Sequence, residues 1–158
     1  MSNSNIILRE ASASDLEIIT QYTIKLHQHE DDGKIKPHQN FAINLKKWLS
    51  SGLADPRSLF LIATQNDAPI GFIGATSIIN DNGFLAHAMK GNIQLIWVEP
   101  DHRKKGVAEK LVDEIEHCFK EIGIDYVECS YTATNHLAEV FWSNNGYEKN
   151  SVTARKFL

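Results

Sequence analysis

Ile93-Gln94-Leu95-Ile96-Trp97-Val98-Glu99-Pro100-Asp101-His102-Arg103-Lys104-Lys105-Gly106-Val107-Ala108 joins an apolar run to a basic turn that contains a glycine. The run predicts a strand, and Pro100 ends it, because proline has no N–H for a ladder and fixes its own φ. From about Lys105 the apolar spacing becomes helical, so the turn lies at a helix start. A helix start carries unpaired N–H groups and the positive end of the helix dipole, and Arg103, Lys104 and Lys105 add formal charge around it. A pyrophosphate is the expected guest. Gly106 has no Cβ to hold phosphate oxygens off the backbone, and Ala108 is the smallest replacement for a second glycine. Neither G-x-x-x-x-G-K-[ST] nor G-x-G-x-x-G is present, which sets aside two common nucleotide loops.

Downstream, Val107, Leu111, Val112, Ile115, Phe119 and Ile122 recur at helical spacing, and Gly123 stands where a helix ends. Residues 125–131 read as a strand, 135–144 as a short helix stopped by Gly146, and 147–157 as a strand or hairpin remnant. Upstream, 58–64 and 70–79 form a hairpin around a turn, Asp81-Asn82-Gly83 is another turn, 84–90 is irregular, and 91–98 is the strand already described. Residues 6–9 open the chain as a strand. A capping box follows, at Ser14-x-x-Glu17 or Ser12-x-x-Asp15, and leads into a helix that carries Leu16, Ile19, Tyr22 or Thr23, and Leu26 on one face. The acidic turn Glu30-Asp31-Asp32-Gly33-Lys34 ends it. Pro37 precedes a second helix with Phe41, Leu45, Trp48 and Leu49 on one face, closed by Gly52 and Pro56. The strand, the helix after Gly106 and the next strand form a parallel, right-handed β-α-β unit, whereas the early hairpin is antiparallel, so the sheet should be mixed.

With 158 residues, 42% apolar and 23% charged, the chain is expected to form one domain over 1–158 that buries about two-thirds of its unfolded surface. No apolar run is long enough to span a bilayer, so no membrane partner is expected. The first five residues lack the basic and apolar regions of an export leader, so the cytoplasm is the expected location. Cys118 and Cys129 fall on apolar periodicities without metal spacing and read as buried free thiols. A net charge of −4 argues against nucleic acid as a partner.

Arg103-x-x-Gly106-x-Ala108, after a strand ending Val98-Glu99-Pro100, resembles the pyrophosphate loop Q/R-x-x-G-x-G/A of the GNAT superfamily of N-acetyltransferases. Asn135 followed by Phe141-Trp142-x-x-x-Gly146-Tyr147 is similar to that superfamily's N…A…Y…GF segment. The resemblance runs through nearly the whole chain and is finest over 92–147. It implies an α/β (α+β) fold with a twisted, mainly antiparallel mixed sheet, whose two central parallel strands splay around the pantetheine arm of acetyl-CoA. It implies a direct acetyl transfer to an amine, with the amides of Lys104, Lys105, Gly106, Val107 and Ala108 anchoring the phosphates and Arg103 and Lys105 as charge partners. Backbone groups of Trp97 and Val98 would bond the pantetheine, and one amide would polarise the thioester carbonyl. Asn135 would reach the same arm, or cap the short helix. A homodimer is a habit of the superfamily.

Two positions depart from that pattern. The tyrosine expected as leaving-group acid is replaced by Trp142, whose indole donates a hydrogen bond but not a proton. Trp142 then either stabilises the thiolate or packs in the core, with Tyr131, Tyr147 or water as the proton source. Gln94 stands where many relatives carry a glutamate base, and a glutamine cannot take the proton of an amine whose reference pKa is near 10.4. Glu128, a water chain near Gln94, His87 and His27 are the candidates. The resemblance places the first two helices at the acceptor wall, where Glu30, Asp31 and Asp32 would draw a small cationic amine, unless they form only a solvated turn. A peptide acceptor and a non-catalytic acyl-CoA-binding module are the alternatives. His27, His29 and His38 lie near these carboxylates in a nonspecific arrangement, and no metal is expected.

Overall fold

Residues 5–158 are described in a computed structural model of the chain. The elements are β1 (Ile6–Glu10), α1 (Leu16–Glu30), α2 (Phe41–Ala54), β2 (Ser58–Gln65), β3 (Ala68–Ile79), β4 (Met89–Val98), α3 (Val107–Glu121), β5 (Val127–Cys129) and α4 (His136–Asn144). The strands lie in one sheet in the order β1-β2-β3-β4-β5, antiparallel throughout except for the parallel pair β4–β5. Asn66 and Asp67 make the tight turn between β2 and β3 with φ of 51° and 63°, the left-handed geometry that short hairpins need. Helix α3 ends on Gly123 at φ 82°, where the Gly123 N–H bonds the Lys120 carbonyl and the Ile124 N–H bonds that of Phe119. This is the double closure that a left-handed glycine permits.

Each face of the sheet has its own core. On one, α3 and Trp142 of α4 pack Val107, Leu111, Ile115 and Phe119 against Ile73, Ala75, Ile93 and Val98. On the other, Ile19 and Tyr22 of α1 and Leu45 and Leu49 of α2 cover Phe60, Ile62, Phe72, Leu95 and Trp97. Strand β4 serves both faces through one irregularity. Its register against β3 runs Ile93 to Ala75 and Leu95 to Gly74, leaving Gln94 as an extra residue. An inserted residue reverses the alternation of side chains. Ile93 therefore faces α3, while Leu95 and Trp97, of the same parity, face α1 and α2.

Several expectations are corrected. Trp48 is 47% exposed, because Leu45 and Leu49 form the buried stripe of α2 and Trp48 flanks it. Ile122 is exposed at the end of α3, and Gly52 lies inside α2 rather than ending it. Cys118 and Cys129 are free but only half-buried; burial still pushes the Cys129 thiol up to about 12. The last expected strand does not form: residues 145–158 carry no regular structure, and Glu148-Lys149-Asn150-Ser151 offers no apolar alternation to bury.

The first helix is set by Ser12 and Asp15, the second of the two boxes. A single 3-10 turn (Ala13–Asp15) leads into α1, and the Ser12 N–H donates to Asp15 Oδ2 at 2.8 Å. The Arg9 guanidinium grips both Asp15 oxygens at 2.8 Å and holds this buried carboxyl down at about 2. The folded chain thus gives Asp15 a lower pKa than the unfolded chain. Its stabilisation is full above the unfolded value and is lost as the pH falls through the folded one. Asp15→Asn is expected to cost on the order of 2 kcal/mol near neutral pH. In urea melts, the gap between variant and parent should close between about pH 4 and pH 2.

Candidate functional site

Strand β5 pairs with β4 only at Gly91, Asn92 and Ile93. Beyond Ile93, no strand among the described residues takes up the β5 side of β4, and a cleft of about 890 Å³ opens there. The ladder shows which backbone groups face it. The Glu99 N–H bonds the Ile70 carbonyl at 2.8 Å, so Val98 and Gly71 form a non-hydrogen-bonded pair. Antiparallel alternation then turns the N–H and C=O of Val98, and of Ile96 two residues earlier, away from β3 and into the opening. Trp97 is the intervening residue, and its backbone is spent on Phe72. Of the expected backbone pair Trp97 and Val98, only Val98 turns its groups into the opening, and Ile96 is the other residue that does. The Val98 carbonyl already accepts from Arg103 Nε at 2.8 Å, which leaves the two amides and the Ile96 carbonyl as the open groups.

The cleft runs onto the start of α3, where Val107, Ala108 and Glu109 line it. Gly106 caps this helix at φ 78° with no side-chain acceptor, and the first helical bond goes from the Lys110 N–H to the Gly106 carbonyl. The amides of Val107, Ala108 and Glu109 are therefore unused. A Cβ on Gly106 would meet nothing within 4 Å. The glycine is required by its positive φ rather than by crowding, and the space over it is open to an anion. Lys104 also holds a positive φ, 58°, and lines the cleft. Arg103 and Lys105 are more engaged than their charges suggested. The Arg103 guanidinium lies over the Trp97 ring at 4.6 Å, and Lys105 Nζ donates back to the Asp101 carbonyl at 2.8 Å.

Opposite, the end of α1 is fastened to the turn after β5. Glu30 Oε2 accepts from the Thr132 N–H at 3.0 Å and from the Thr132 hydroxyl at 2.5 Å, and Glu30 Oε1 accepts from Asn135 Nδ2. Asn135 Oδ1 in turn accepts from the Ala138 N–H at 3.1 Å, capping α4. Glu30 is thus a clamp, not a free carboxylate for an amine, and Asn135 takes the capping role of its two readings while lining the cleft. Asp31 lines the cleft and spends one oxygen on the Gly33 N–H at 2.8 Å. Asp32 lies off the lining, accepting from the Lys34 N–H at 3.0 Å and from Arg155 at 3.4 Å; the Lys34 amide, chiefly, holds its carboxyl below the usual range.

Of the candidates for proton transfer, Gln94, Tyr131, Trp142 and His27 line the cleft. Glu128 does not: it is paired with Lys90 at 2.6 Å. His87 is held by Asp125 at 2.8 Å, also off the lining. Tyr147 donates its hydroxyl proton to Glu116 at 2.8 Å on α3, and burial, chiefly, raises its pKa far beyond the ordinary tyrosine value. Trp142 is 4% exposed and packs edge-on against Phe141 and Tyr147, so core packing is its main work. Among the described residues the Tyr131 hydroxyl makes no hydrogen bond, and its side chain lies within electrostatic reach of Lys149. Sequence reasoning missed His29 as a cleft residue. Its ring stands edge-on to Trp97 at 6.1 Å, a neighbour visible only once the bulge turns Trp97 toward α1.

Residues 56–149 match the family model described as the acetyltransferase (GNAT) domain. No curated protein matches. Among solved structures, a predicted acetyltransferase from Clostridium acetobutylicum, crystallised with acetyl-CoA, is 18% identical with a TM-score of 0.81, over 97% of this chain and 96% of that one. The aminoglycoside N-acetyltransferase AAC(6′)-Iy in complex with CoA is 17% identical with a TM-score of 0.76, over 98% and 96%. The same enzyme with the bisubstrate analogue CoA-S-monomethyl-acetylneamine gives 19% and 0.72, over 98% and 100%.

Glu30→Ala would strip the acceptor from the Thr132 amide and the Asn135 side chain. Unfolding is expected to become easier by about 1–3 kcal/mol, with faster hydrogen exchange at Thr132. Unchanged protection of that amide would show that the clamp does not hold the turn.

Proposed function

The chain belongs to the GNAT acetyltransferase family, and from that premise we propose that it moves the acetyl group of acetyl-CoA directly to a primary amine of a small cationic molecule. Acetyl-CoA is its co-substrate. The observation that carries the reading is the continuity of two donor sets in one cleft: the open amides of Ile96 and Val98 on β4, and the unused amides of Val107, Ala108 and Glu109 at the α3 start. The first set suits the amide-bearing pantetheine arm, laid down as a missing strand. The second suits the pyrophosphate, with Lys104 beside it.

The amine lone pair attacks the thioester carbonyl, forming the C–N bond. One β4 amide steadies the oxyanion, a contribution of about 3–4 kcal/mol for a well-placed donor. The C–S bond then breaks and the thiolate leaves. Tyr131, a cleft residue whose hydroxyl makes no hydrogen bond among the described residues, gives the thiolate its proton. The amine proton goes to His29, which lines the cleft beside Trp97 on the strand that holds the cofactor. Gln94 donates or accepts hydrogen bonds there and takes no proton.

Thiol release from acetyl-CoA, measured over a panel of small amines with a coenzyme A titration alongside, tests the reading. Amine-dependent release is expected. Coenzyme A binding without release on any amine would point instead to a non-catalytic acyl-CoA-binding module, and absence of binding would overturn the site. His29→Gln should lower kcat by about 100-fold or more without changing coenzyme A affinity. A full-rate His29→Gln enzyme would remove His29 from the mechanism.

A further inference from the structure

The acceptor half of the cleft has fewer free charges than its sequence advertises. Of the carboxylates at the end of α1, Glu30 is filled by three donors and Asp32 lies off the lining beside Arg155. Asp31 alone is left to meet an ammonium, and Lys36 lines the same wall with the opposite charge. Besides His27, Gln28 and His29, the remainder of that wall is apolar. Ile24, Leu26, Ile35 and Phe41 face the cleft from α1, its following loop and α2, and Leu95 and Trp97 face it from β4. Ile35 stands 58% exposed. His27 lies edge-on to Phe41 at 5.1 Å, and His29 edge-on to Trp97 at 6.1 Å, so four rings border this volume in the arrangement that flat guests extend.

Resting on the acetyltransferase reading, we propose that the acceptor is a monoamine carried on an aromatic or aliphatic body, not a polyamine or an aminoglycoside. A guest with one ammonium pairs with Asp31 and covers Ile35, Phe41 and Leu26 with its apolar part. A polycation brings several hydrated charges to a wall that offers one carboxylate and one lysine. It gives up that hydration without return. Discrimination follows from what the wall cannot pair as much as from what it can cover.

The test compares thiol release with phenethylamine, hexylamine, spermidine and kanamycin, with coenzyme A affinity titrated separately. The expected result is a kcat/KM for phenethylamine about 10-fold or more above that for spermidine or kanamycin. Ile35→Glu adds a carboxylate at an exposed position, where the fold tolerates it, and should move the phenethylamine-to-spermidine ratio toward spermidine by about 10-fold. Phe41→Ala should raise the KM for phenethylamine while leaving coenzyme A affinity unchanged. Preference of the parent enzyme for spermidine or kanamycin overturns the inference and leaves the acetyltransferase reading standing, whereas turnover of none of the four amines while coenzyme A still binds overturns the inference and points to the non-catalytic module. Loss of coenzyme A binding itself would instead strike at the reading beneath it.

Discussion

One strand with a partner on only one side sets the rest of this structure. An unpaired run of N–H and C=O groups inside a domain is costly, so it must be short, solvated or reserved for a guest. Strand β4 keeps its β3 ladder to the end, but loses β5 after Ile93. The bulge at Gln94 falls at that point. It re-aims Leu95 and Trp97 toward α1 and α2, so the strand changes which helices it supports as it leaves β5. The basic turn and the α3 start then follow within a few residues. A guest that pairs with the strand is therefore delivered to the helix terminus without a break.

Part of the charge at and beside the cleft is already committed within the fold. Arg103 lies on Trp97 and bonds the Val98 carbonyl, Lys105 turns back on its own loop, and Glu30 is held by Thr132 and Asn135. Backbone dipoles and the few uncommitted side chains are left to recognise the substrates. Such fixed donors need little reorganisation, which is what makes oxyanion stabilisation effective. The wall formed by α1, its following loop and α2 is built the other way, largely from rings and aliphatic side chains.

The fold was legible where periodicity and end residues agreed. The α3 stripe from Val107 to Phe119, its glycine stop, and the hairpin around Asn66-Asp67 all carry their geometry locally. The geometry of the turn at Gly106 was legible for the same reason, since it rests on backbone and on one positive-φ glycine. Roles that depend on register were not. Nothing in Trp97 and Ile96 tells which offers its amide until the Glu99 to Ile70 bond fixes the phase of the ladder. Likewise, Glu128 and Glu30 are both glutamates near the right strands, and only distant partners, Lys90 for one and Thr132 for the other, separate bystander from clamp. The stretch after Tyr147 reads as a strand or hairpin remnant although its residues carry no apolar alternation, and no strand forms there.

The Glu30 clamp also bears on the order in which the chain is made. Its partners Thr132 and Asn135 lie 102 and 105 residues further along, so α1 leaves the ribosome long before the groups that fasten its end exist. Through most of synthesis that carboxylate must stay hydrated, and the apolar wall beside it has no opposing side. Contacts of such separation are the slowest to form because they close the largest loops. The cleft is thus completed at the end of folding, and a nascent chain cut before Thr132 would hold most of both cores while lacking a closed site.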